Sequence, residues 1–270
     1  MDVIALGAWD LGIAAALVCV LSMLSLLLSL GLEWKILLFS CRMTAQLLFI
    51  GIVLRFLFAS GSLPMVLLMA TIMLFAAGRE VLARQNLRLK GITGYAIGTG
   101  AMFVSSFSVS LIALLVIIGV DPWYTPQYAI PLLGMLLGNT MTGVSLALDR
   151  LTDQFHKERG IVEQRLLLGQ TWQEASNDIR KECMRTGMIP IINSMAAAGL
   201  VSLPGMMTGQ ILGGTPPMEA VKYQILIIFL IAAGTGFGVI SAIWMSGHYL
   251  FDNRHRLCLE RLSGSRLRKR

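Results

Sequence analysis

The chain has 270 residues, of which 56% are hydrophobic and only 14% charged, with mean hydropathy +0.72 and net charge +7. These values exclude an ordinary soluble domain and define a protein that crosses a bilayer many times. Closed membrane barrels are disfavoured, because their short alternating segments differ from the long apolar runs seen here.

A helical crossing takes about 20 residues. Seven stretches reach that length or approach it: 11–30, 36–58, 63–80, 94–119, 127–148, 188–212 and 222–250. The expected fold is a single all-α permease-like domain over 1–270, with one cytoplasmic loop at 149–187 and a basic tail at 252–270. Lys and Arg set its orientation. Arg79, Arg84, Arg88 and Lys90 follow the third stretch, Arg150 to Arg185 follow the fifth, and Arg254 to Arg270 follow the seventh. The alternate connections are nearly free of charge. The N-terminus is therefore expected outside and the C-terminus in the cytoplasm. Asp2 and Asp10, with no basic residue beside them, argue against a cleaved signal peptide. The tail reads as a positive-inside anchor with affinity for anionic lipid rather than for nucleic acid.

In the second stretch Arg42 lies about two turns in, with Gln46 one turn further on the same face. A central arginine costs roughly 2.5–3.5 kcal/mol on insertion scales, so Arg42 either snorkels to the interface or serves a path. Glu80 closes the third stretch and is the intramembrane carboxylate nearest to the middle of any span. Glycines four apart (Gly94/Gly98, Gly134/Gly138, Gly205/Gly209 and Gly234/Gly238) let helices approach, within one subunit or between two. The fifth stretch carries Gly138-Asn-Thr-Met-Thr-Gly143, unusually polar for membrane depth. Asn139 and Thr142, with Asn193 and Gln210 from the sixth, are candidates for a polar seam that lines a path or bonds helices together.

The loop reads as two amphipathic helices. The first covers about 154–168 and stops at Gly169, a residue suited to the left-handed helix end. The second opens with a Thr171-x-x-Glu174 capping box and carries Trp172, Ala175, Ile179 and Cys183 at helical spacing. Both are too short to be stable alone and must lie on the membrane domain or a partner. Glu163 and Gly169, six apart, resemble the core of the EAA loop by which ABC permeases dock on their ATPase. Gln164-Arg165 replace that motif's Ala-Ala. Glu163, Arg165, Gly169, Trp172 and Glu174 are the coupling candidates.

Sixteen methionines include Met195, Met206 and Met207 near the polar spans. Thioethers fill irregular cores and also ligate soft metals, so these three and Glu80 are the metal candidates. His156, His248 and His255 show no ligand spacing. Cys19, Cys41, Cys183 and Cys258 show no CxxC pattern and are expected as free thiols. No G-x-x-x-x-G-K-[ST], H-E-x-x-H or G-x-S-x-G motif is present, so the chain is not expected to be an enzyme.

Pro131-Leu-Leu-Gly-Met-Leu-Leu-Gly-Asn-Thr-Met-Thr-Gly143, Glu163…Leu-Gly-x-Thr171, Gly199-Leu-Val-Ser-Leu-Pro-Gly-Met-Met-Thr-Gly-Gln-Ile-Leu-Gly213 and Ala220-Val-Lys-Tyr-Gln-Ile225 resemble the FetB family of ABC permeases. That family includes the plant aluminium-tolerance permeases. The resemblance covers Arg42 to about Phe251. It implies a homodimeric inner-membrane permease paired with a separate FetA-like ATPase that binds ATP and Mg. It also implies iron export and metal or oxidative-stress resistance, with nucleotide-sugar export proposed for plant relatives. The alternatives are another cargo, such as a nucleotide sugar or lipid-like molecule, or a non-transporting membrane scaffold.

Overall fold

In a computed structural model, which describes residues 7–252 and 254–264, six helices are long and apolar enough to cross a membrane. Asp2 and the tail residues Arg266, Arg268, Lys269 and Arg270 lie outside the described residues. The six are α1 (Ala8–Leu27), α2 (Glu33–Ser60), α3 (Leu63–Arg84), α4 (Gly91–Ile118), α5 (Pro126–Lys157) and α10 (Pro217–Leu250). Between the last two run α6 (Arg159–Leu167), α7 (Trp172–Ala175), α8 (Asn177–Ala197) and α9 (Gly205–Leu212). α4 contains two π-helical stretches, Phe103–Phe107 and Ala113–Ile118.

Three expectations need correction. The predicted sixth span, 188–212, is two helices rather than one. After Ala197 the chain turns at Gly199, whose φ is +82°, and α9 begins behind Pro204. Proline has no N–H to give and holds the preceding residue extended, so no helix crosses this point. The first loop helix does not start at 154, because α5 continues to Lys157. Its apolar spacing outlasts the predicted span: Leu151 and Phe155, past the charge at Asp149, stay fully buried, as does Leu148 before it. The fold is also not purely helical. β1 (Leu87–Leu89) pairs antiparallel with β2 (Leu262–Gly264), Leu89 opposite Leu262. Both leucines are buried, so the start of the basic tail is folded onto the body.

α5 is the central shaft, packed against α3, α8 and α10. α1 packs chiefly on α2, where the Ser25 hydroxyl donates to a Glu33 carboxylate oxygen at 3.4 Å. One apolar core, with Val81, Leu151, Phe155, Trp172 and Leu250, fills the end next to the loop. A second, with Leu57, Val66, Leu136 and Ile227, fills the other end.

One close crossing joins α5 to α8. A Cβ on Gly143 would lie 2.8 Å from the Gly187 carbonyl oxygen, and one on Gly187 would lie 2.8 Å from that of Gly143. Backbone meets backbone here, as small residues allow in membrane helix pairs. The predicted Gly94/Gly98 and Gly234/Gly238 pairs also serve packing within the chain, since added Cβ atoms would press on Leu89, Val81, Leu136 or Thr140. Gly138, Gly205 and Gly209 face open space.

Candidate functional site

Two features stand out, a cleft within the bundle and the tip of the loop. The cleft lies between α2, α3 and α5 and encloses about 870 Å³. Its polar lining is Arg42, Gln46, Arg79, Glu80 and Arg84, set beside Met43, Met73, Leu137, Gly138 and Met141. α3 extends four residues beyond its predicted end, so Arg79 and Arg84 are helical residues of the cleft wall and not loop charges. Arg42 Nη2 donates to Glu80 Oε1 at 2.9 Å. Glu80, a metal candidate on sequence grounds, is thus engaged by a guanidinium. Arg84 Nη1 reaches the Thr142 hydroxyl at 3.5 Å, and the Arg79 side chain makes no hydrogen bond or ion pair among the described residues. Three guanidiniums against one carboxylate repel a bare metal cation and attract an oxyanion.

The expected polar seam is not assembled within one chain. Asn139 Nδ2 donates to its own helix at the Met135 carbonyl, 2.8 Å away, and Thr142 donates to the Gly138 carbonyl at 3.1 Å while bordering the cleft. Such side chains in a span take the nearest backbone carbonyl when no partner helix offers one. Asn139 and Asn193 sit on exposed faces of α5 and α8. Gln210 lines a different cavity of about 220 Å³ with Gln127, Tyr128 and Met206, and its buried Oε1 has no hydrogen-bond partner. Met207 is buried and Met195 is exposed on α8. Among the described residues, no three His, Cys, Asp or Glu side chains group to hold a metal.

The loop keeps its predicted caps, but the second predicted helix is split at Ser176: α7 stops at Ala175, and α8 runs on through the predicted start of the sixth span at 188. α6 ends in a Schellman turn: Gln170 N–H donates to the Arg165 carbonyl, Gly169 N–H to that of Leu166, and Gly169 has φ +89°. A Cβ on Gly169 would meet nothing within 4 Å, so conformation alone requires the glycine. Thr171 N–H donates to Glu174 Oε2 at 2.8 Å, and Thr171 Oγ1 accepts from Glu174 N–H at 3.4 Å. The Thr171 backbone N–H, more than any other cause, holds the Glu174 carboxyl below its ordinary value. Glu163 pairs with Arg159 at 2.7 Å, and Arg165 with Asp178 at 2.9 Å.

Trp172 faces inward. It stacks on Phe251 at 5.4 Å, sits edge-on to His248 and carries the Arg180 guanidinium 5.3 Å above its ring. A Cβ on Gly247 would lie 2.7 Å from that ring, so the indole fills a notch in α10. Its backbone N–H donates to His255 Nδ1 at 3.3 Å. Trp172 therefore clamps the loop to α10 and does not present a surface to a partner. What stands exposed is Leu167 and Leu168, at 87% and 84%. The sequence signal was present, three leucines in a row before Gly169 in an otherwise polar loop.

Six long apolar helices, the central shaft α5 among them, with a folded loop at one end, define a multi-pass helical membrane protein. The chain belongs to the Uncharacterised protein family UPF0014, which it matches over residues 8–251. It is 38% identical to a UPF0014 membrane protein of Synechocystis over 93% of this chain and 94% of the relative. It is 31% identical to the "Probable iron export permease protein FetB" of Escherichia coli over 94% and 95%. The Arabidopsis thaliana protein ALUMINUM SENSITIVE 3 is 33% identical over 90% and 88%. The resemblance to the FetB-type family and its plant relatives thus extends along the chain. No solved structure matches it.

Proposed function

We propose that the chain is the membrane-spanning permease subunit of an ABC exporter, working as a homodimer in the bacterial inner membrane with a separate ATPase subunit that binds ATP and Mg. The observation that carries this reading is the loop tip. Two exposed leucines sit at the C-terminal end of α6, which closes in the Schellman turn at Gly169, and the helix that follows is tied to α10 through Trp172. Exposed apolar side chains on a rigid, charged loop suit insertion into a groove on a partner. Beyond the short α7, α8 runs from Asn177 to the Gly143/Gly187 crossing, so a push on the loop is carried to the shaft. Asn139 and Asn193 lie on the uncovered faces of α5 and α8, where a second copy would close a path.

The cargo we assign is iron, following the printed name of the Escherichia coli relative. The guanidinium-rich cleft and the absence of a ligand cluster among the described residues favour iron carried as a complex over a bare ion. A second reading, another anionic cargo in the same architecture, rests on that cleft. Inverted vesicles holding the chain and its ATPase should accumulate labelled iron only with ATP. Active vesicles that do not would remove iron from the assignment. Glu163→Lys, which breaks the pair with Arg159 and reverses a charge at the tip, should lower ATPase co-purification and transport together. Unchanged assembly and transport would show that Glu163 plays no part in coupling, and a chain that never stimulates an ATPase would instead be a scaffold.

A further inference from the structure

We infer that the cleft between α2, α3 and α5 binds the phosphate group of an anionic phospholipid. Charge is the first ground. Glu80 is engaged by Arg42 at 2.9 Å, so Arg79 and Arg84 are left without a carboxylate. Paired guanidiniums are well suited to a phosphate because each presents a planar set of N–H donors.

Position is the second ground. Arg79 and Arg42 lie about 8–14 Å along their helix axes from the helix ends at Arg84 and Glu33. A headgroup level with those helix ends would have both guanidiniums within reach below it, on the side of the bundle that carries the basic segments. Basic pockets between membrane helices on that side are typical sites for acidic headgroups. The third ground is the remaining wall. Phe39, Met43, Met73, Leu137 and Met141 line the same space, and Phe39 and Met43 are exposed on the outward face of α2. A soluble phosphate has no use for that apolar floor, whereas an acyl chain would cover it. The inference does not depend on transport or on the ATPase.

The full chain, purified in a neutral detergent, would be offered phosphatidylglycerol or phosphatidylcholine and examined by native mass spectrometry through successive delipidation washes. Phosphatidylglycerol should be retained in preference to phosphatidylcholine. Arg79→Gln with Arg84→Gln should weaken that retention about 25-fold, roughly fivefold for each arginine near an anionic surface. Gly138→Leu changes no charge, and its Cβ meets nothing within 4 Å, so it fills the cleft and should also release the lipid. Lys35→Gln, on the same helix end but outside the cleft, should retain it as the parent does. Equal retention of both lipids, or full retention by the double variant or by Gly138→Leu, would overturn the assignment. Arginine-dependent binding of inorganic phosphate with no preference for phosphatidylglycerol would overturn its lipid source.

Discussion

Gly187→Ala tests the crossing that ties the loop to the shaft. The new methyl would lie 2.8 Å from the Gly143 carbonyl oxygen, 2.9 Å from the Ala147 Cβ and 3.0 Å from Val239 Cγ2. Two of those neighbours are a backbone oxygen and a Cβ, which move only if α5 and α8 separate. Overpacking of this kind costs about 1–3 kcal/mol, and a site without flexible neighbours belongs near the top of that range. Alanine returns up to about 1 kcal/mol as a better helix former than glycine. The balance is about 2 kcal/mol of lost stability, roughly a 30-fold fall in the folded-to-unfolded ratio. Gly51→Ala is the control, because a Cβ there meets nothing within 4 Å. Thermal unfolding of both variants in detergent, followed by tryptophan fluorescence, reads the difference. Gly187→Ala should melt well below the parent and Gly51→Ala at or above it. Equal melting temperatures for the two would refute the backbone-to-backbone crossing.

Leu167→Asp with Leu168→Asp should leave melting nearly unchanged, since both side chains are exposed, yet abolish co-purification with the ATPase. Retained assembly would show that the leucines do not dock. Burial pushes the Cys183 thiol up to about 12, with Arg150 pulling down and Glu182 pushing up by lesser amounts. At pH 8 its thiolate fraction is therefore on the order of 10⁻⁴. Single-cysteine variants should show Cys258 reacting with maleimide in the folded protein and Cys183 reacting only after denaturation. Because the folded thiol keeps its proton to higher pH than the unfolded one, this site subtracts from stability as pH climbs from about 9 to about 12. Labelling of native Cys183 at the rate of Cys258 would mean that the thiol is not buried.

Local rules were legible without coordinates wherever a few neighbouring residues decide the outcome. Gly169 ends α6 because a left-handed residue is needed there, and Thr171 with Glu174 caps α7 within four residues of chain. Trp172, Ala175, Ile179 and Cys183 were readable as one face because helical spacing alone places them together. Arg42 was visible as an anomaly, but its partner Glu80 lies 38 positions away and spacing cannot reveal it. Trp172 was read as lying on the membrane domain or a partner, and only the structure shows that it fills the notch at Gly247, which nothing nearby in sequence announces.

Composition, apolar length and the placement of arginines by themselves determined a helical, multi-pass protein with a folded loop between its fifth and later spans. Those properties follow from the cost of placing polar groups in lipid, which every stretch of about 20 residues meets on its own. Tertiary structure alone decided that Arg79 and Arg84 join Arg42 in one cleft, and that the proposed polar seam divides between separate surroundings. It also decided that Gly143 and Gly187, which belong to no glycine pair four residues apart, form a crossing of backbone on backbone. Contacts between distant helices depend on which faces meet, and a single helix presents the same spacing whichever neighbour it packs against.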